Sequence, residues 1–468
     1  MGRVEAKGIE PLPAQERKST RFWNIFTIWC SMNMNILGVL FGLLGPSTYG
    51  LGLRDSSLVI LFFSFLSSVA PAYLATFGPK TGMRQMIQAR FSFGRYLVSV
   101  PVLLNLATLT GFMVIICIVG GQCLSAVSDG NLTPDAGIVI IALLALLISF
   151  CGFDILHYYE TYAFFPAVVA IAIAAGCGGD DLAKQAAPAQ AATPGAIMSY
   201  GMIVASYMIP FAAISSDLTT YFDPKVPSWR VFIYTFSGLV IPTVPLMTLG
   251  AAIAGALPNV PSWQAAYDKT LVGGVLAAMV SSAGGFGKFV IVVLSLTLLG
   301  NAASTMYAIT LNFQALVPWM VRVPRYVFAL VVTAIAIPVA VRAVASNFFG
   351  SLENFIALIG YWSASYVGIA AVDHIVFRRQ YHGDSGPVPY EEAYDHRVWS
   401  DTSRLPIGVA ALGSGVLSFG LVVPCMEQVW WTGPIAETTG DIGFEVAFML
   451  SALFYVPLRK LEIRLTGR

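Results

Sequence analysis

Long apolar runs separated by short polar connections fill the chain from about residue 26 to about residue 457. Twelve of them have membrane length, at about 26–48, 57–77, 98–127, 136–153, 159–178, 196–216, 231–255, 288–312, 326–345, 354–373, 405–424 and 441–457. A hydrocarbon core of ~30 Å needs about 20 helical residues, with some allowance for tilt. The runs are continuous and do not alternate over ten-residue units, which selects helices over barrel strands. An apolar Gly/Ala-rich piece at 271–283 is too short to count and reads as part of an outer hairpin. Residues 1–22 are polar and contain proline, and the run after them is of full length. That run is therefore expected to span the membrane and not to be a cleaved signal.

Two runs carry interruptions. Span one reads Asn33-Met-Asn35-Ile-Leu-Gly38-Val-Leu-Phe-Gly42-Leu-Leu-Gly45-Pro46, with two amides, three glycines and a proline at membrane depth. Span six reads Ala205-Ser206-Tyr207-Met208-Ile209-Pro210-Phe211. The two lie five spans apart. Interrupted helices in corresponding positions point to the substrate site of transporters built from inverted repeats. Unwound backbone is tolerated at that depth where it faces a cavity. Span eight adds Asn301, Ser304 and Thr305 on roughly one face, and span three carries Phe112, Ile116 and Gln122. Amides in a bilayer either fasten helices together or line a cavity.

Composition and charge fill in the class. Hydrophobic residues make up 57% of the 468 residues and charged ones 11%, against about 25% charged in a soluble domain. Lipid must therefore solvate most of the surface. A net charge of +1 implies no nucleic-acid partner. With the N-terminus inside, 21 of the 26 Lys and Arg fall on the inner side. The positive-inside rule then makes both termini cytoplasmic in a multi-pass protein. The sequon at Asn131 falls in an outer loop and is a possible glycosylation site. The six cysteines lie in or beside apolar runs without a CxxC pair and read as buried hydrophobes.

The centres of spans one, three, six and eight hold no Asp or Glu, which suggests a substrate without a formal positive charge. Glu160, Asp217 and Glu353 sit near the membrane edges. Glu160 and Asp217 are the candidates for proton coupling. The four histidines are interfacial or in loops and no HExxH occurs, so neither a metal site nor an enzyme is expected. Gly284-Gly-Phe-Gly-Lys288 lacks the first Gly and the Ser/Thr of a phosphate loop.

Three segments resemble fungal purine–cytosine permeases, of nucleobase–cation symporter family 1. They are Phe77-Gly-Pro-Lys-Thr-Gly-Met-Arg-Gln-Met-Ile-Gln-Ala-Arg-Phe-Ser-Phe-Gly-Arg95, Leu358-Ile-Gly-Tyr-Trp362 leading into Asp373-His-Ile-Val-Phe-Arg378, and Gly433-Pro-Ile-Ala through Gly440-Asp-Ile-Gly-Phe-Glu445 to Tyr455-Val-Pro-Leu-Arg459. The likeness runs from about residue 20 to the end. It implies an all-α membrane protein with twelve transmembrane helices: two inverted five-helix repeats, LeuT-like, plus two C-terminal helices. The expected divisions are a cytoplasmic tail 1–22, repeats 23–178 and 179–373, a cytoplasmic loop 374–404, the last spans 405–458 and a tail 459–468.

The resemblance also implies a secondary active transporter, at the plasma membrane, that takes up a neutral planar heterocycle of the cytosine or purine type. No organic cofactor is implied; a proton or another cation is the coupling ion. By similarity, Phe112 and Phe211 hold the ring, Asn301 and its neighbours Ser304 and Thr305 read its edge, Asn33 and Asn35 belong to the broken span, and Glu160 in Tyr-Glu-Thr-Tyr162 is the functional glutamate. Ile116 stands where the family has asparagine, and Ser304-Thr305 where it has Pro-Asn. A polar edge left unpaired costs about 1–3 kcal/mol. These departures leave open a scaffold redirected to another heterocycle, such as a vitamin B6-type pyridine or a secondary metabolite. From another class, a non-transporting membrane sensor is the alternative.

Overall fold

The computed structural model describes residues 8–129, 131–150, 162–188, 191–345, 347–378 and 390–468. Each of the twelve apolar runs is helical over most of its described length. The longer helices are α1 (Trp23–Asn33), α2 (Leu37–Ser47), α3 (Leu53–Ala75), α4 (Ser99–Val127), α5 (Pro134–Phe150), α6 (Phe164–Cys177) and α7 (Pro194–Met208). They continue with α8 (Ser228–Ala256), α9 (Pro261–Met279), α10 (Gly284–Leu316), α11 (Arg325–Ala345), α12 (Phe348–Val372), α13 (Val409–Cys425) and α14 (Gly443–Thr466). Among the described residues, seven helices are long and apolar enough to cross a membrane, and α1 with α2, bent by 54°, make an eighth span. Large apolar side chains stand exposed along outward faces, such as Leu58, Phe62 and Phe65 on α3 and Val416 and Leu417 on α13. Such faces are stable against lipid and not against water.

The helices associate in two groups. In one, α8 packs along α1, α2 and α3, and α7 lies on α3 and α12. In the other, α4, α5, α10 and α11 pack on one another, with α6 against α10 and α9 against α4. α14 joins α12 to α13. Small residues set the closest approach: Gly42 of α2 meets the Met247 carbonyl and Gly250 of α8 meets the Val39 carbonyl, with no room for a Cβ at either. In lipid, where burial against a neighbouring helix gains little over burial against tails, such backbone approach is what holds helices together.

The apolar piece at 271–283 belongs to a helical hairpin, as expected: the chain turns back at Thr270 and Leu271, and a Cβ on Gly274 would strike the Ala266 carbonyl. Residues 271–279 belong to α9, which kinks at Thr270 and Leu271. Its Val272, Val275, Leu276 and Met279 are buried, against α4. A two-stranded antiparallel ribbon pairing Glu427 with Thr432 links α13 to α14.

Candidate substrate site

Both expected breaks are present, and the local chemistry explains them. α1 ends at Asn33 and α2 begins at Leu37. Between them the Asn35 amide donates to the Met32 carbonyl (2.6 Å) and accepts from the Leu37 N–H (2.8 Å). One side chain thus satisfies an orphan carbonyl of the first half-helix and an orphan N–H of the second. In span six, α7 starts on a Thr193 cap with Pro194 at its first position and runs to Met208. Pro210 has no N–H to give, and the chain tightens to 3-10 turns over Ile209–Ala213 and Ser215–Leu218. Hydroxyls of these turns reach nearby carbonyls: Ser215 donates to Phe211 O (2.7 Å), and Ser216 to Leu74 O at the end of α3 (2.9 Å).

Aromatic rings gather at these breaks. Phe211 meets Trp29 of α1 at 5.6 Å and Tyr207 at 6.2 Å, both edge-on at 80° and 86°. Tyr207 lies 4.8 Å from Phe41 of α2 and 6.2 Å from Phe112 of α4. Phe112 in turn meets Phe355 of α12 at 6.0 Å.

Two cross-links fix the register of α10 against α4. Ser295 donates to Gly120 O (3.1 Å) and Asn105 donates to Asn312 Oδ1 (3.1 Å). For an antiparallel pair this sets Asn301 level with Ile115 and Ile116, and Ser304 and Thr305 level with Phe112. The five predicted positions on spans three and eight therefore lie within one helical turn of depth.

The polar groups at this depth have particular partners. Thr305 donates its hydroxyl to Asn301 Oδ1 (3.0 Å), and Ser304 turns back to Gly300 O (3.2 Å). Ile116 is fully buried and offers no hydrogen bond. Asn33 donates to Trp29 O (3.0 Å), while its carbonyl oxygen has no partner among the described residues. Asn35 uses both ends of its amide on the break itself.

At the end of the bundle that carries the termini, the α3–α4 connection folds into short helices at Phe77–Thr81, Gln85–Gln88 and Arg90–Phe93. Arg84 donates to Asp217 O (2.7 Å) and Tyr221 Oη (3.0 Å). The Asp217 carboxylate accepts from the Gln85 N–H (2.7 Å), and the Gln85 amide donates to Tyr366 Oη of α12 (3.0 Å). Asp217 is thus buried in a fastening between elements. The N-terminal tail crosses the same end, Leu12 N–H donating to Gly82 O (2.8 Å) and Ser19 N–H to Tyr221 O (3.2 Å). Burial, with Arg95 nearby, pushes the Arg90 guanidinium down to about 10, still cationic at neutral pH.

At the opposite end, Ser199 donates to Glu427 (2.6 Å), Tyr361 donates to Asp441, and the Glu427 N–H donates to Asp441 (2.9 Å). Asn131 is exposed there. Glu160 lies outside the described residues. Among the described residues no three His, Cys, Asp or Glu converge to hold a metal ion. Trp29 and Tyr207 were not singled out from the sequence, although each sits within a turn of an expected break.

Interrupted spans from one helix group, facing an aromatic and amide surface on the other, define a polytopic membrane permease. Residues 11–446 match the family of permeases for cytosine/purines, uracil, thiamine and allantoin, and the chain belongs to that family. The purine-cytosine permease fcyB of Emericella nidulans is 34% identical over 473 residues, covering 99% of this chain and 90% of the relative. The purine-cytosine permease FCY2 of Saccharomyces cerevisiae is 32% identical over 477 residues, covering 99% and 87%. Among solved structures, Mhp1, a nucleobase-cation-symport-1 family transporter in a closed conformation with bromovinylhydantoin bound, superposes with a TM-score of 0.72. That match covers 98% of this chain and 96% of the other at 15% identity, which shows the shared fold.

Proposed function

We propose that the protein takes up cytosine- and purine-type nucleobases together with protons across the plasma membrane, with both termini cytoplasmic. The observation that carries this reading is the meeting of both broken spans at an aromatic cluster whose Phe112 is level with Thr305, one turn from Asn301. A flat ring enters against Phe211 and Phe112, since stacking asks only for a π face. Asn301, held by Thr305, and Asn33 read its edge. The names and family of the relatives supply the substrate class.

We read the fold as twelve spans in two inverted five-helix repeats followed by two helices. In support, spans one, two, six and seven form one packing group and spans three, four, eight and nine the other, each closed under a shift of five. Transport is the rocking of the first group against the second around the bound ring. Glu160 carries the coupling proton in this scheme. Asp217, whose carboxylate is engaged by Gln85, acts on coupling by fastening and releasing the end that bears the termini.

The test is uptake of labelled cytosine, adenine and hypoxanthine by cells lacking their own permeases, with surface protein quantified. Saturable uptake, faster at acidic pH, is expected. Surface protein without uptake of any of the three contradicts the reading.

A further inference from the structure

The aromatic cluster contains polar groups that packing does not explain. Trp29 is fully buried on α1, yet its indole N–H has no partner among the described residues. Tyr207 is 1% exposed on α7, and its hydroxyl is likewise unpartnered. Asn33, fully buried, leaves its carbonyl oxygen unpartnered. More than nine in ten buried polar groups in folded proteins have a partner, so three at the two broken spans ask for a cause. The rings themselves are well placed. Trp29 packs between Phe211 and Gly238 of α8, where a Cβ would come within 2.7 Å of the Trp29 Cβ. Tyr207 packs between Phe41 and Phe112. A phenylalanine at 207 would make the same ring contacts without burying an unanswered hydroxyl.

Trp29 and Asn33 are one turn apart on one helical face, and the Asn33 amide nitrogen is held by Trp29 O. Both side chains therefore rise from the face of α1 whose Trp29 ring meets Phe211. On span six the Tyr207 ring meets Phe211 as well, and its hydroxyl can donate or accept.

We propose that Trp29 and Tyr207 are substrate-recognition residues. The indole N–H, the tyrosine hydroxyl and the Asn33 carbonyl hydrogen-bond the edge of the heterocycle lying against Phe211. The ligand class is a planar ring that carries an acceptor directly beside an N–H, as a lactam or an amino-azine does. These contacts supply an edge that Ile116 does not offer and that Asn301 offers only in part, its carbonyl being taken by Thr305. The inference rests on the nucleobase reading above.

The test compares wild type, Trp29→Phe and Tyr207→Phe in cells lacking their own permeases, at matched surface density. Both changes keep a ring and remove one polar group. Labelled cytosine uptake gives KM, and competition by quinazolin-4-one and by quinazoline, the same bicycle without the lactam, gives inhibition constants. Each variant is expected to raise the cytosine KM about tenfold. Each should weaken quinazolin-4-one about tenfold and quinazoline less than about twofold. Unchanged KM in both variants, with a transporting wild type, overturns the inference and leaves the nucleobase reading standing. Equal weakening of both bicycles also overturns it, because the rings then serve packing alone. A wild type at the surface that takes up no nucleobase overturns the reading and this inference together.

Discussion

Replacing Phe211 by leucine removes an aromatic face while keeping most of the buried bulk. Its two ring neighbours both meet it at near right angles, so neither stacks parallel on it as a planar substrate would. Stacking of a nucleobase on an aromatic side chain is worth about 1–3 kcal/mol by truncation. At about 1.4 kcal/mol per tenfold, the apparent constant should rise by roughly 5- to 150-fold. The loss falls on ground and transition states alike, so KM rises while the maximal rate stays near wild type. The same substitution should cost the fold less than about 1.5 kcal/mol, as near-isosteric core changes do. The assay is saturation kinetics of cytosine uptake, normalised to surface protein, with thermal melting of the purified protein as the stability control. A KM within twofold of wild type, at normal stability, refutes stacking on Phe211.

Other substitutions probe the remaining parts. Glu160→Gln should abolish the rise of uptake at acidic pH while leaving substrate binding in place; a preserved pH profile, followed by initial rates between pH 5 and 8, removes Glu160 as the coupling group. Asn35→Ala loses both hydrogen bonds at the break of span one and should cost about 1–3 kcal/mol, seen as a lower melting temperature; an unshifted melting curve contradicts the capping role. Gly42→Leu has no room against the Met247 carbonyl, and overpacking of at least about 1–3 kcal/mol should reduce folded protein at the surface, measured by fluorescence-detected chromatography. Arg84→Ala frees the Asp217 and Tyr221 fastening and should speed modification of a cysteine placed at Ser216 by an impermeant thiol reagent in inside-out vesicles. No change in labelling rate argues against that network as a closure.

The long helices and the two breaks were legible because each rests on a local cause. Apolar length fixes a spanning helix, Pro210 removes a donor, and Asn35 offers an amide where two half-helices need one. That Asn301 lies level with Ile116, and Thr305 with Phe112, was not legible from either span alone. It depends on Ser295 reaching Gly120 and Asn105 reaching Asn312, contacts between residues some 175 and 207 positions apart. The folded α3–α4 connection was invisible for another reason: its helices are four or five residues long, too short for a periodic pattern. Trp29 and Tyr207 look like ordinary members of apolar runs. Only the fully buried, unanswered N–H and O–H beside Phe211 distinguish them, and those are tertiary facts.

The most direct test uses purified protein in sealed proteoliposomes with an imposed pH gradient, acidic on the outside. Labelled cytosine should accumulate inside above the external concentration, and an uncoupler should release it to equilibrium. Cytosine that only equilibrates, or whose entry ignores the gradient, would contradict a proton-coupled nucleobase permease.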